Sequence, residues 1–163
     1  MIKKIIKEQN KERTSFIILF LISIILSNIG ILGIENSNMM PDYFIALITA
    51  YIINKGSDLN IYKLVIIGLI VDLFVGQLLG QYGLVFICIY LLYFIIKKIL
   101  VIKSTQQLFS LGFFLITSSF LVLWATSLSH GLFISFNLIF IQSILTFIAY
   151  LFFNIFIKKF TSN

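Results

Sequence analysis

Six apolar runs constrain the fold of this chain more than any other feature of its sequence. They are separated by short polar segments and lie at about residues 15–34, 41–54, 62–79, 84–96, 107–128 and 132–157. The runs are continuous, whereas the strands of a membrane β-barrel alternate apolar and polar residues. A helix needs about 20 residues to cross a bilayer. The sequence therefore predicts an all-α polytopic membrane protein with six transmembrane helices in one bundle.

The composition indicates that lipid is the natural solvent of this chain. Apolar residues make up 60% of the sequence and charged residues only 11%, whereas soluble domains are about 45–50% apolar and about 25% charged. We expect one membrane domain at 15–157, a basic tail at 1–14 and a short tail at 158–163. The net charge of +6 does not predict nucleic-acid binding, because the cations lie in small groups between apolar runs.

The distribution of cations predicts the orientation of the chain. All 12 Lys and Arg residues fall in the N-terminal tail, the turn near 54–63, the loop at 97–106 and the C-terminal tail. The loop at 35–40 and the tight turns at 80–83 and 129–131 have none. Cytoplasmic loops carry the excess of Lys and Arg in membrane proteins. The pattern therefore predicts a multi-pass membrane protein with both termini in the cytoplasm.

The second run is short for a membrane span. Its 14 residues cover only about 21 Å of a hydrocarbon core of about 30 Å. We therefore expect either that the preceding loop dips into the membrane or that the bilayer thins locally. Pro41-Asp42 begins the run, which suits a helix, because proline fits the first turn and an acid there complements the helix dipole.

Asp72 is the most informative polar residue, because an acid within a membrane span is costly to insert. Gly68, Asp72, Gly76 and Gly80 recur every four residues, which keeps them near one helix face, and glycines on such a face let another helix approach closely. Two interpretations remain open. Asp72 is either a polar contact or partner site, or it forms an internal hydrogen bond to a Ser, Thr, Asn or Gln side chain on another span.

The sequence contains no recognisable catalytic or metal-binding group, and we expect neither an enzyme nor a cofactor. The single cysteine, Cys88, excludes an intrachain disulfide, and one histidine, His130, does not make a zinc site or a Ser-His-Asp triad. We interpret His130 as a solvated turn residue. Tyr82 and Trp124 lie near span ends, where aromatic residues anchor helices at the membrane interface.

Three motifs in series resemble a known family. They are Pro41-Asp42, the segment 68–73 (GLIVDL) and the segment 80–84 (GQYGL). A six-span protein of about this length with this series is similar to the rod shape-determining protein MreD family. The motifs cover about residues 40–93, and the second half of the chain matches in hydropathy alone. One departure is Met40, because family members often carry a basic residue before Pro-Asp.

The resemblance implies a non-enzymatic membrane scaffold in the machinery that guides lateral peptidoglycan synthesis. It implies binding to the single-span protein MreC and work alongside MreB, RodA, a penicillin-binding transpeptidase and membrane lipids. It also implies a fold like the membrane component of vitamin-uptake transporters. The residues that would shape the helix packing of the family are Pro41, Asp42, Gly68, Asp72, Gly76, Gly80 and Gly83.

A second function from another class stays open at this stage. Six short spans in a small chain are also typical of the substrate-binding membrane subunit of a vitamin-type transporter. Such a subunit binds a small molecule tightly and copurifies with ATPase subunits. Adjacent genes for a filament protein and an MreC-like protein favour the scaffold, whereas adjacent ATPase genes favour the transporter.

The predicted orientation is tested by fusing the C-terminus to a reporter enzyme that is active only outside the cytoplasm. We expect no reporter activity, because six spans return the C-terminus to the side of the basic N-terminal tail. The same reporter fused within the 35–40 loop is the positive control. Strong activity of the C-terminal fusion would contradict the six-span topology.

Overall fold

The computed structural model describes residues 14–28, 40–55, 60–75, 78–100, 104–131 and 135–161. Within these ranges every regular element is an α-helix, so the all-α prediction is confirmed for them. The six helices, in chain order, are α1 (Thr14–Asn28), α2 (Tyr43–Lys55), α3 (Ile61–Val75), α4 (Gln81–Ile99), α5 (Thr105–Ser129) and α6 (Phe136–Thr161). Three of them, α4, α5 and α6, are long and apolar enough to cross a membrane.

Two helices continue past the lysines at which their spans were expected to end. α4 runs through Lys97 and Lys98, and α6 runs through Lys158 and Lys159. Long lysine side chains place their charge in water while their stems stay on apolar surface. A lysine in the last turn also interacts favourably with the helix dipole. These lysines therefore mark the end of the apolar stretch and not the end of the helix.

The junction between α3 and α4 also differs from the expectation. Residues 81–83 were expected in a tight turn, but they form the first turn of α4. The third span was expected to reach residue 79, whereas α3 ends at Val75 and Leu79 lies in the turn. Gly80 has a φ of 89°, a left-handed conformation that glycine adopts without steric cost. The chain therefore reverses direction immediately before α4.

α2 is the core of the bundle. Nine of its 13 residues are buried, including the unbroken run 44–50, so the helix is covered on all sides. It packs most extensively against α6 and also contacts α5 and α4. A helix this short is typical of a buried core element. Its short length, which made it the weakest predicted span, accompanies burial among the other helices.

α3 and α4 approach each other at two glycines. A Cβ atom added to Gly68 would lie 2.3 Å from the Cα of Gly83 and 2.4 Å from its backbone nitrogen. The two backbones are therefore in direct contact, as in the small-residue interfaces of membrane helices. Gly112 of α5 has a similar role, because its Cβ would lie 2.5 Å from the ring of Tyr150 in α6.

Polar pairs fix which helix ends share a side of the bundle. Asn54 near the end of α2 donates to Asn154 of α6 (2.7 Å), and the Tyr93 hydroxyl of α4 donates to the Ile53 carbonyl (3.5 Å). We call this side the basic end, because the last turns of these helices contain Lys55, Lys97, Lys98, Lys158 and Lys159. The opposite end contains Asp42 just before α2, Gln81 at the beginning of α4 and Thr126 in the last turn of α5.

The outward faces of the helices are apolar along their length. Large side chains that are a third to four-fifths exposed occur on every helix except the enclosed α2. In water this surface would cost far more than a soluble domain tolerates, and in lipid it costs nothing. Representative residues are Ile17, Ile66, Leu73, Leu91, Phe114, Leu121, Phe152 and Ile155.

Gly68→Ala and Gly83→Ala form a matched pair that tests the α3–α4 contact. The Cβ at Gly68 meets backbone, so the helices must separate, and we expect a loss of about 1–3 kcal/mol of stability. The Cβ at Gly83 would have as its nearest neighbour the Val65 carbonyl oxygen at 3.8 Å, so Gly83→Ala should be tolerated. Thermal unfolding of the purified protein in detergent measures both. Equal unfolding temperatures for the two variants would contradict the close backbone contact.

Candidate functional site

Asp42 caps the beginning of α2. Its Oδ1 atom accepts hydrogen bonds from the backbone N–H groups of Phe44 (3.1 Å) and Ile45 (3.0 Å). Aspartate is among the preferred residues at this position because its side chain satisfies N–H groups that have no partner within the helix. The structure therefore gives Pro41-Asp42 the helix-start role that the sequence predicts.

Asp42 also joins α2 to two other helices. Its Oδ2 atom accepts a hydrogen bond from the hydroxyl of Tyr82 in α4 (2.6 Å). Its backbone N–H donates to the hydroxyl of Thr146 in α6 (2.8 Å). Thr146 lies ten residues into α6, which corresponds to about 15 Å of helix. α2 therefore begins inside the bundle and not at its surface.

Asp72 caps the beginning of α4, although it belongs to α3. Its Oδ2 accepts from the backbone N–H of Gly80 (2.7 Å), and its Oδ1 accepts from the backbone N–H of Tyr82 (2.9 Å). Gly80 occupies the cap position and has no side chain with which to cap the helix. A carboxylate from the preceding helix takes that role, eight residues away in sequence.

These contacts correct one of the two interpretations of Asp72. Its partners are two backbone N–H groups at the start of the next helix, not a Ser, Thr, Asn or Gln side chain on another span. Asp72 is only 1% exposed. A buried N–H group without a partner costs about 1–3 kcal/mol. Asp72 thus stabilises the reversal between α3 and α4, and this reversal places Gly68 against Gly83.

Tyr82 connects the two carboxylates and was interpreted wrongly from sequence. We expected a membrane-interface anchor, but Tyr82 is 5% exposed and lies in the core. Its backbone N–H binds Asp72 and its hydroxyl binds Asp42. One sequence signal could have indicated this role. Tyr82 follows Asp72 closely and lies in the first turn of a helix, where backbone N–H groups need an acceptor. Thr146 carries no such signal, because only folding brings it to Asp42.

Gln81 extends the same network to α5. Its amide Nε2 donates to the hydroxyl of Thr126 (2.8 Å) and, at longer range, to the hydroxyl of Ser127 and the carbonyl of Leu123 (both 3.4 Å). Hydrogen bonds of this kind between membrane helices are worth about 0.6–2 kcal/mol each. The opposite end of the bundle therefore joins α2, α3, α4, α5 and α6 through polar side chains.

A cavity of about 370 Å³ lies at the opposite end, beside Asp42. α2 is about half as long as α5 and α6, and it begins next to the middle of α6. The cavity occupies the space near that buried beginning, and all six helices contribute to its walls. The polar residues in the lining are Ser27, Asn28, Asp42, Gln81, Ser127 and Gln142.

The structure places most of the predicted packing residues in one region. Asp42, Asp72 and Gly80 belong to the network around Tyr82, and Gly68 and Gly83 form the adjacent helix contact. Pro41 lines the cavity next to Asp42. Gly76 lies outside the described residues.

The polar side chains around Tyr82 form hydrogen bonds that link helices to one another. The described residues contain no group of three or more His, Cys, Asp or Glu side chains that would hold a metal ion. His130 is exposed at the end of α5, where its Nδ1 lies 2.9 Å from the Thr126 carbonyl. Both buried carboxylates use their oxygens to hold helix beginnings and Tyr82.

Together, the apolar outer surface, the long apolar helices and the buried polar network define a helical membrane protein. A comparison with protein families identifies it further. The family model "MreD: rod shape-determining protein MreD" matches residues 9–162. The chain belongs to this family, which confirms the resemblance seen in the motif series. Comparisons with curated proteins and with solved structures give no match.

Tyr82→Phe removes the hydroxyl that joins α4 to Asp42 and leaves the ring in place. We expect a loss of about 1.5–3 kcal/mol, the usual contribution of a hydrogen bond to a charged group. Thermal or denaturant unfolding in detergent measures the change. Tyr62→Phe is the matched control, because Tyr62 is 81% exposed. Its substitution should change the free energy of unfolding by no more than about 0.5 kcal/mol. Unchanged stability of Tyr82→Phe would show that the Asp42 contact contributes nothing.

Proposed function

We propose that this protein is a non-enzymatic membrane scaffold of the bacterial cell-elongation machinery. The observation that carries the proposal is the family match over residues 9–162, because membership implies a role in rod-shape determination. The scaffold binds an MreC-like single-span protein and helps to guide lateral peptidoglycan synthesis. Its wider assembly includes MreB, RodA and a penicillin-binding transpeptidase.

The use of polar groups supports a scaffold. The two buried acids cap helices and hold Tyr82, and Gln81 bonds α5. The active site of a hydrolase or transferase usually combines two or more of these groups: an acid, a base and a metal ion. The polar chemistry of the described region instead links helices, which gives a rigid body with an apolar exterior. A rigid apolar exterior suits a partner that contributes a membrane helix.

The distribution of charge supports a location in the bacterial inner membrane with both termini in the cytoplasm. The basic last turns of α2, α4 and α6 share one end of the bundle. Lysines at cytoplasmic helix ends follow the positive-inside bias and meet the anionic inner leaflet. The six helices are proposed as six spans of one bundle, in which the short α2 is enclosed by the others.

One observation favours the second candidate, a substrate-binding subunit of a vitamin-type transporter. The cavity beside Asp42 has a volume of about 370 Å³, which is within the usual range for small-molecule sites. Copurification from native membranes distinguishes the candidates. An MreC-like protein in the purified complex supports the scaffold, and ATPase subunits support the transporter.

Asp72→Leu tests whether the folded arrangement of the network supports partner binding. The substitution leaves the N–H groups of Gly80 and Tyr82 without acceptors, at about 1–3 kcal/mol for each. We expect impaired rod shape and reduced copurification of the MreC-like partner. Both are measured in cells that contain the variant as their only copy.

Thr117→Leu is the control for replacing a polar residue by leucine inside a long helix. The Thr117 hydroxyl bonds the Phe113 and Phe114 carbonyls of its own helix, so its loss leaves the links between helices intact. Normal cell shape and full copurification are expected for this variant. Normal shape and intact copurification in Asp72→Leu would count against the proposed role of the network.

A further inference from the structure

The cavity at the opposite end has an acidic residue in its wall and no basic one. Asp42 lines it and is 8% exposed. The chain has no Lys or Arg in residues 14–54, 64–96 or 104–157, and these ranges contain every residue that lines the cavity. Among the described residues, the hydrogen-bond donors to the Asp42 side chain are all neutral.

The hydrogen bonds of Asp42 leave it capacity for another donor. A carboxylate has about four lone-pair sites. The N–H groups of Phe44 and Ile45 use Oδ1, and the Tyr82 hydroxyl uses one site on Oδ2. The remaining site on Oδ2 suits a charged N–H donor, since charge-assisted hydrogen bonds are about twice as strong as neutral ones.

The rest of the cavity wall favours an organic cation over a hydrated metal ion. Mg²⁺ and Ca²⁺ require several oxygen ligands, but this wall is mainly aromatic and aliphatic. Aromatic faces attract ammonium groups, as in the cages that bind choline and methyl-lysine. Six aromatic residues line the cavity: Tyr43, Phe44, Phe74, Tyr82, Phe120 and Trp124.

A polar side chain of α6 suits the rest of such a ligand. Gln142 of α6 lines the cavity and is half-buried. An amide supplies both a donor and an acceptor, so it can bind a hydroxyl or phosphate oxygen near the ammonium group. The volume of about 370 Å³ accommodates a ligand of that size.

We propose that this cavity binds an alkylammonium group, held between the Asp42 carboxylate and the aromatic walls. The ammonium group comes either from the amine headgroup of a membrane lipid or from a free organic amine. Binding at this site goes beyond the proposed scaffold role and does not depend on it. It also does not depend on the partner proteins, so the purified chain is sufficient to test it.

Trp124 provides a direct measurement, because it is the one tryptophan in the sequence and it lines the cavity. The full-length protein in neutral detergent is titrated with ethanolamine while its fluorescence is recorded. Ethylene glycol, which replaces the ammonium group by a hydroxyl, is the matched neutral probe. We expect a saturable change in emission with ethanolamine and none with ethylene glycol at constant ionic strength.

A second titration distinguishes the two sources. Lysophosphatidylethanolamine carries the amine on a lipid, and lysophosphatidylglycerol of the same chain length lacks it. A response to lysophosphatidylethanolamine but not to ethanolamine identifies a lipid headgroup site. A response to both identifies a site that accepts free amines. No saturable response to either amine, or equal responses to their matched neutral or glycerol probes, would overturn the proposal.

Two variants test the assigned residues. Asp42→Asn keeps a side-chain acceptor that caps α2 but removes the charge, and Met40→Lys adds a tethered ammonium group at a residue that lines the cavity. Each should weaken binding of the responding amine about tenfold or more, as expected for loss of a charge-assisted contact. Met40→Lys leaves the Asp42 cap unchanged. It therefore still tests the site if Asp42→Asn fails to fold.

Asp58→Asn is the matched control, since it makes the same chemical change in the sequence between α2 and α3. Its binding of the amine should equal that of the unaltered protein. If Asp42→Asn and Met40→Lys also bind the amine with unaltered affinity, the cation does not occupy the cavity beside Asp42 and the proposal is wrong.

Discussion

A helix that begins inside an apolar bundle has backbone N–H groups that only protein atoms can satisfy, and the rest of this structure depends on how they are satisfied. α2 and α4 both begin among other helices. Asp42 supplies acceptors for α2, and Asp72 supplies them for α4. Tyr82 then joins the two carboxylates. Inserting an acid into lipid costs free energy. Each of these acids offsets that cost by accepting hydrogen bonds from backbone N–H groups that would otherwise have no acceptor.

The same constraint explains the shape of the bundle. Because Asp42 can cap α2 beside the middle of α6, α2 does not have to extend to the surface, and its beginning borders a cavity at the opposite end. Because Asp72 holds the beginning of α4, the chain reverses tightly enough to bring Gly68 against Gly83. The cross-linked bundle and the cavity are therefore two consequences of one arrangement. The buried polar network links five helices, and the short central helix leaves a cavity with an acidic residue in its wall.

Much of this organisation was predictable, and the reasons are local. Apolar runs of membrane length predict helices because the bilayer core leaves the backbone no other partner. Pro41-Asp42 predicts a helix start through its own stereochemistry and charge. The glycine repeat that begins at Gly68 predicts a close helix contact, although the pairing of Gly68 with Gly83 was not predictable. Tyr82 was misjudged because an aromatic residue near a span end has the same sequence signature whether it faces the interface or the core.

By itself, the sequence determined the all-helical class, the segregation of Lys and Arg to one set of helix ends and the membership in the MreD family, because hydropathy, charge and motif spacing are properties of contiguous segments. Only the tertiary structure decided that Asp72 caps a neighbouring helix, that Thr146 meets Asp42 and that the weakest span is the core. The physical reason is that these contacts join residues eight to 104 positions apart. Hydrogen-bond partners at such separations are selected by helix packing, which no local pattern specifies.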